Sequence, residues 1–163
     1  MDAAAYALKK ARIQLMMSHP FYSYLLFHLQ EKEDTEEVLG SMKTMGTNGY
    51  YLWYNSKFVN SLPLSELKGV LAHEVLHCAF LHMTRLGTRN SLVWNIATDL
   101  AINILLKEDG FSLPAGCLLD NKYAKMAAET IYSELLKNAQ KITIAGGQTD
   151  ANGNPVPMDS HDA

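Results

Sequence analysis

Residues 71–77 read LAHEVLH, an H-E-x-x-H pattern set in an apolar stretch of the chain. His73 and His77 are four residues apart, so on a helix they lie on one face, one turn from each other. Glu74 is next to His73 on the helical wheel and points into the same cleft. The spacing therefore predicts a largely buried helix that brings two imidazoles and a carboxylate toward one point, where a single metal ion can be bound.

The helix around this pattern is predicted to follow Pro63, to span residues 64–85 and to stop at Gly87. A zinc site in a hydrolase takes three protein ligands and keeps a fourth position for water. His82 is one candidate for the third ligand. It lies nine residues after His73, which places it on the opposite side of a continuous helix, so the spacing does not favour it.

Asp99 is the preferred third ligand. It belongs to a second predicted helix, residues 92–107, which is apolar nearly all round and therefore expected to be buried. A carboxylate on such a helix must bind a metal ion or be paired, and pairing with a nearby arginine or a helix end is the alternative. Asn95 and Asn103 lie one turn before and after Asp99 on the same face, and we expect them to orient the ligands from outside the metal site.

These residues together predict a hydrolytic zinc centre. Zinc suits imidazole and carboxylate ligands and lowers the pKa of its water to near neutral, and Glu74 is the expected general base for that water. A different class of protein, an interaction module with a non-catalytic zinc site, is the alternative, although such a site does not need Glu74. A helical protein without metal is the third possibility, if the pattern is accidental.

Composition limits the classes that need to be considered. The 163 residues are 48% hydrophobic and 19% charged, which is enough for one globular core. Lys and Arg total 14 and Asp and Glu total 17, so a net charge of −3 does not favour a nucleic-acid or anionic membrane partner. Two cysteines cannot form a disulfide framework, and no stretch approaches the roughly 20 apolar residues of a membrane span. We therefore expect a cytoplasmic protein.

The pattern along the chain predicts an α+β fold that is mainly helical. Helices other than the two already described are expected at residues 3–17, 21–30 and 125–140. From residue 145 the chain becomes rich in Gly, Asn and Pro. We therefore predict one domain over residues 1–140 and a flexible linker or tail over residues 141–163.

One segment has a strong strand signal. Residues 50–54 (YYLWY) follow the turn pair Asn48-Gly49, and residues 38–44 are expected to pair with them as a hairpin in a sheet of two to four strands. The acidic run at residues 31–37 is interpreted as an exposed loop.

The segment from residue 48 to residue 106 resembles the N-terminal metallopeptidase domain of bacterial and phage proteins that carry a C-terminal von Willebrand A-like domain. The resemblance rests on residues 49–55 (GYYLWYN), 73–77 (HEVLH) and 94–99 (WNIATD), with a later similarity at 129–132 (ETIY). It implies a compact zincin-like fold with a small sheet beside the active-site helix. In the similar gluzincins and aspzincins the third zinc ligand is a Glu or Asp of the next helix, and Asp99 matches that position.

The resemblance also implies one Zn²⁺ per chain, a peptide or protein substrate, and a strand that binds substrate by backbone pairing. This substrate-binding edge is expected at Tyr50, Tyr51, Leu52, Trp53 and Tyr54. In the interaction-module alternative, the same edge would contact a partner such as a von Willebrand A-like domain or an ATPase. The chain departs from the family in having no D-x-S-x-S motif. His161 in the tail is a further candidate ligand, although a solvated histidine is the simpler interpretation.

Overall fold

The computed structural model describes residues 2–40 and 44–138, together with the backbone of two short paired strands at residues 148–149 and 155–156. The described part is mainly helical with a small three-stranded sheet, so the predicted α+β class is confirmed. None of its helices is long and apolar enough to cross a bilayer. His161 and most of the predicted tail lie outside the described residues, so the boundary at residue 140 stays a prediction.

Two helices open the chain. Helix α1 (Ala3–Ser18) starts where Asp2 accepts a hydrogen bond from the Ala5 amide at 2.8 Å, and it agrees with the predicted range. Its buried residues recur at helical spacing and form one wall of the core: Ala4, Leu8, Ala11 and Leu15. Helix α2 (Pro20–Leu26) begins at a proline and is shorter than predicted.

The sheet contains strands β1 (Gln30–Glu33), β2 (Met45–Thr47) and β3 (Tyr51–Tyr54) in the order β1-β3-β2. A hairpin joins β2 to β3, as predicted. At the turn of this hairpin, Asn48 Oδ1 accepts hydrogen bonds from the amides of Tyr50 and Tyr51. Two details of the prediction are wrong. The partner strand covers residues 45–47, and residues 38–40 and 44 of the predicted range are not strand. Residues 31–33 of the acidic run belong to strand β1, whereas residues 35–37 are exposed and lie outside any strand, as predicted.

The central position of β3 contradicts the predicted substrate-binding edge. Strand β3 is parallel to β1 and antiparallel to β2, so neighbours occupy both of its sides. The backbone of a central strand is used by the sheet and cannot pair with a peptide. The prediction is therefore wrong for Tyr51, Leu52, Trp53 and Tyr54. It is also wrong for Tyr50, just before β3, because its carbonyl accepts from the Gln30 amide and its own amide donates to Asn48. The apolar character that made this the strongest strand signal is also what suits it to the middle of the sheet.

After the sheet come helices α3 (Ser56–Ser61), which the sequence did not predict, and α4 (Leu64–Ala79). Helix α4 ends earlier than predicted. Leu81 adopts a left-handed conformation with φ of 55°, the chain turns, and a separate short helix α5 (His82–Arg85) follows. Helices α6 (Ser91–Glu108) and α7 (Ala128–Lys137) follow, with α6 close to its predicted range.

Helix α4 lies at the centre of the fold. It contacts α1, α2, β2 and α6, and most of its residues from Leu67 to His77 are buried. Helix α6 is in turn covered by α7, through a second apolar cluster that includes Ile96, Leu100, Ile131 and Leu135. Two internal helices, α4 and α6, therefore face each other across the interior, as their apolar sequences predicted.

Gly69 allows the loop after α6 to approach α4 closely. A Cβ atom at this position would lie 2.0 Å from the Ser112 carbonyl oxygen, which is far inside van der Waals contact. The obstructing atom belongs to the backbone, so it cannot move aside as a flexible side chain can. Glycine at this position therefore leaves room for the loop to lie against α4, one helical turn before His73.

We expect Gly69→Ala to lower the free energy of unfolding by about 1–3 kcal/mol, because overpacking outweighs the roughly 1 kcal/mol gain in helix propensity. Thermal and urea unfolding measure this change. Ser65→Ala, on an exposed face of the same helix, is the matched control and should stay within about 0.5 kcal/mol of the parent. An equally stable or stabilised Gly69→Ala protein would show that the contact is not tight.

Candidate metal centre

Helices α4 and α6 bring three side chains to one point. His73 Nε2 and His77 Nε2 are 2.9 Å apart, and each lies 3.1 Å from Asp99 Oδ1. The i, i+4 spacing on α4 places the two imidazoles one above the other, and Asp99 reaches them from the facing helix. His73, His77 and Asp99 thus form a group that could hold a metal ion, and they are the three ligands predicted from the sequence.

The triangle fits a metal ion in size and in chemistry. Tetrahedral ligands bound at about 2.0–2.1 Å from zinc lie about 3.3 Å from one another, and the observed sides are only slightly shorter. Two imidazole nitrogens and one carboxylate oxygen are also the donor types that suit a divalent transition metal. The residues present therefore match such an ion both in position and in kind.

Burial adds a charge argument. The side chains of His73, Glu74, His77 and Asp99 are all 0% exposed. Two carboxyl groups in one dry interior are costly as anions unless positive charge accompanies them. A dication supplies that charge, so the burial of Asp99 and of Glu74, which follows His73 in the chain, favours a metal ion at this point.

Asn103 holds the ring of His73 from outside the triangle. Its Nδ2 donates to the Leu118 carbonyl at 2.7 Å, so its Oδ1 is the atom that faces His73 Nδ1, at 2.8 Å. His73 therefore donates from Nδ1, and a neutral His73 then has no proton on Nε2, which can bind a metal. This contact agrees with the orienting role predicted for Asn103. Asn95 is half-buried, no side-chain hydrogen bond of Asn95 occurs among the described residues, and its role stays a prediction.

His82 approaches the other imidazole. Its Nδ1 lies 3.1 Å from His77 Nδ1, on the side of the ring that faces away from the triangle. His82 therefore lies outside the three-ligand group, in agreement with the preference for Asp99. The reason given for that preference is wrong, because it assumed a continuous helix through residue 85. The turn at Leu81 is what returns His82 to the neighbourhood of His77.

An ion pair that the sequence did not reveal fastens α5 to α7. Arg85 donates from Nε and Nη2 to the two carboxylate oxygens of Glu129, and from Nη1 to the Phe80 carbonyl. This hydrogen bonding lowers the pKa of Glu129. The Trp94 indole donates to the His82 carbonyl at 2.8 Å. These contacts fix the turn after α4 against α6 and α7.

Both cysteines lie near the site without joining the triangle. The Cys78 thiol faces Thr47 Oγ1 at 3.6 Å, and burial raises its pKa. Burial also raises the pKa of Cys117, on which His73 and Asp99 act in opposite directions. The loop that carries Cys117 and Leu118 therefore passes close to the metal-site residues, as the Asn103 contact also shows.

The fold and the site define a class of protein: a mainly helical α+β domain with a buried His-His-Asp group able to hold a metal ion. Comparison with known families agrees with this description. The chain belongs to the family described as "Putative metallopeptidase domain", whose model matches residues 3–162. No curated protein and no solved structure matches the chain. The predicted likeness to a metallopeptidase domain is thereby confirmed, whereas the association with von Willebrand A-like domains stays a prediction.

Asn103 and Asn60 offer a matched pair of asparagine substitutions, one beside His73 and one on the exposed face of α3. We expect Asn103→Ala to weaken zinc binding by about 10–100-fold, because His73 loses the acceptor that fixes its ring and tautomer. Asn60→Ala should stay within about threefold of the parent, because this side chain is exposed and belongs to α3. Competition with a chromophoric chelator measures both, and similar affinities for the two variants would contradict the orienting role of Asn103.

Proposed function

We propose that the protein is a zinc-dependent metallopeptidase that hydrolyses peptide bonds with a metal-activated water and Glu74 as general base. The observation that carries this proposal is the meeting of His73 Nε2, His77 Nε2 and Asp99 Oδ1 within 3.1 Å of one another. Membership in a metallopeptidase-domain family supports the reaction class. A zincin-like fold and one Zn²⁺ per chain are parts of the same proposal.

In this proposal His73, His77 and Asp99 hold the ion. When bound, zinc supplies a Lewis acid that lowers the pKa of water and polarises the substrate carbonyl. Glu74 follows His73 on α4, so the main chain of one helix positions both the general base and two ligands. Glu74 accepts the proton of the attacking water and delivers it to the leaving amine. Asn103 keeps the proton of His73 on Nδ1, away from the metal.

The metal content of the purified chain is the first test. We expect about one zinc per chain by elemental analysis, and most of it to be lost in Asp99→Ala, because two neutral imidazoles alone hold zinc weakly. Asp2→Ala, which changes an exposed aspartate at the start of α1, should retain the full amount. A parent that takes up no zinc even after loading would overturn the zinc site and the peptidase proposal with it.

Substitution of the base tests the chemistry separately from the metal. Glu74→Gln should retain zinc but lose peptide hydrolysis by about 10²–10⁴-fold, because an amide cannot accept the proton. Hydrolysis of a panel of unfolded proteins, with and without chelator, gives the readout. Glu66→Gln, in the first turn of the same helix, is the matched control. Full activity in Glu74→Gln would exclude the proposed base.

One observation favours a second candidate function. All three ligand side chains and Glu74 are 0% exposed, whereas a catalytic metal site keeps a position open to substrate. The alternative is an interaction module with a structural zinc site, whose partner would be a von Willebrand A-like domain or an ATPase. Zinc content without chelator-sensitive hydrolysis would favour this candidate. Two free cysteines suit a reducing compartment, and we propose the cytoplasm for either function.

A further inference from the structure

We propose that His82 is a positioning residue for His77: its Nδ1 accepts the Nδ1 proton of His77 and so presents His77 Nε2 to the metal. The inference rests on the proposed metal site and adds to it a residue that touches neither the metal nor the substrate. The carrying observation is the 3.1 Å distance between the two Nδ1 atoms, both of them buried.

The direction of this hydrogen bond follows from the geometry. His77 Nε2 faces His73 and Asp99, so a metal bound there requires that nitrogen to be free of a proton. The proton of a neutral His77 must then be on Nδ1, and the nearby acceptor is His82 Nδ1. His82 can accept there only as the tautomer that carries its own proton on Nε2. A metal ion bound at His77 Nε2 therefore determines the tautomers of both His77 and His82.

His82 is held in place by more than the contact with His77. Its carbonyl accepts the Trp94 indole proton at 2.8 Å, and its ring stacks on Phe80 with centroids 5.6 Å apart. The rings of Trp94 and His82 are nearly perpendicular with centroids 6.0 Å apart, and His82 is only 4% exposed. A ring fixed on three sides can fix a second ring, which a mobile surface histidine cannot do.

The contact between His82 and His77 resembles the contact between Asn103 and His73, although the acceptor is an imidazole nitrogen instead of an amide oxygen. Asn103 Oδ1 faces His73 Nδ1 from α6, and His82 Nδ1 faces His77 Nδ1 from α5. Both metal-site histidines thus have an acceptor at the ring nitrogen that points away from the triangle. Outer hydrogen bonds of this kind typically change metal affinity by 10–100-fold when removed.

Three variants of the full chain test the role of His82. His82→Phe keeps a ring between Phe80 and Trp94 but removes the acceptor, whereas His82→Asn returns an acceptor oxygen at about the distance of Nδ1 from the main chain. His28→Phe makes the same chemical change at an exposed histidine beyond the end of α2. Zinc dissociation constants are measured by chelator competition, and Co²⁺ absorption spectra report the geometry of the site. Thermal unfolding of the metal-free proteins serves as the folding control.

We expect His82→Phe to weaken zinc binding by about 10–100-fold and to change the Co²⁺ spectrum, and His82→Asn to recover most of the affinity. His28→Phe should match the parent. A folded His82→Phe protein that binds zinc within about threefold of the parent would overturn the inference while leaving the metal site intact. A parent without zinc binding would instead overturn the proposed function.

The tautomers supply a test that needs no substitution. Nitrogen-15 NMR of the imidazoles in the zinc-loaded parent should show His77 protonated on Nδ1 and His82 protonated on Nε2. The opposite tautomer of His82 would overturn the inference even if His82→Phe failed to fold. A merely structural role for His82 would lower the melting temperature of metal-free His82→Phe without changing metal affinity or the Co²⁺ spectrum.

Discussion

The meeting of α4 and α6 at the His73, His77 and Asp99 triangle is the constraint on which the other features depend. Polar atoms from two separate helices come within 3.1 Å in an interior that excludes solvent. Such an arrangement is unfavourable unless the polar groups satisfy one another and their outer partners. A rotation of either helix by one residue would turn its side chain about 100° away from the site. The polar cluster therefore restricts how α4 and α6 can pack against each other.

The surrounding elements keep α4 and α6 in the relative alignment that brings His73, His77 and Asp99 together. Gly69 lets the loop after α6 contact α4, and the same loop supplies the Leu118 carbonyl that fixes Asn103. On the other side, Trp94 holds the turn that carries His82, and Arg85 joins that turn to α7. Hydrophobic packing brings the helices together, but it is tolerant of small shifts. Directional hydrogen bonds select one of the many alignments that packing would accept.

The triangle could be predicted from the sequence, because its residues are recognised from their spacing and from the helices that carry them. The spacing of His73 and His77 places them on one helix face, and a carboxylate in an apolar helix, Asp99, has few other roles. The four-residue repeat along the same face pointed to Asn103 and equally to Asn95, whose role stays a prediction. The place of β3 in the sheet was not predictable in this way, since strand preference says nothing about which strands lie on either side.

Other errors have a physical cause in tertiary structure. Leucine rarely adopts positive φ, so nothing in the local sequence indicates that the chain turns at Leu81. Because this turn was not foreseen, the contact between His82 and His77 was not foreseen either. The Arg85–Glu129 pair joins residues 44 positions apart, and its residue types are common at any surface. The sequence suggests that Arg85 pairs with some acidic residue, but it does not say that this residue is Glu129.

The complete burial of the triangle has a consequence for how an ion could arrive. An ion cannot diffuse to atoms that solvent does not touch, so the rate of loading would be limited by local opening of the helices or of the loop between them. Exchange would then be slow in the folded chain and fast while the chain is still assembling.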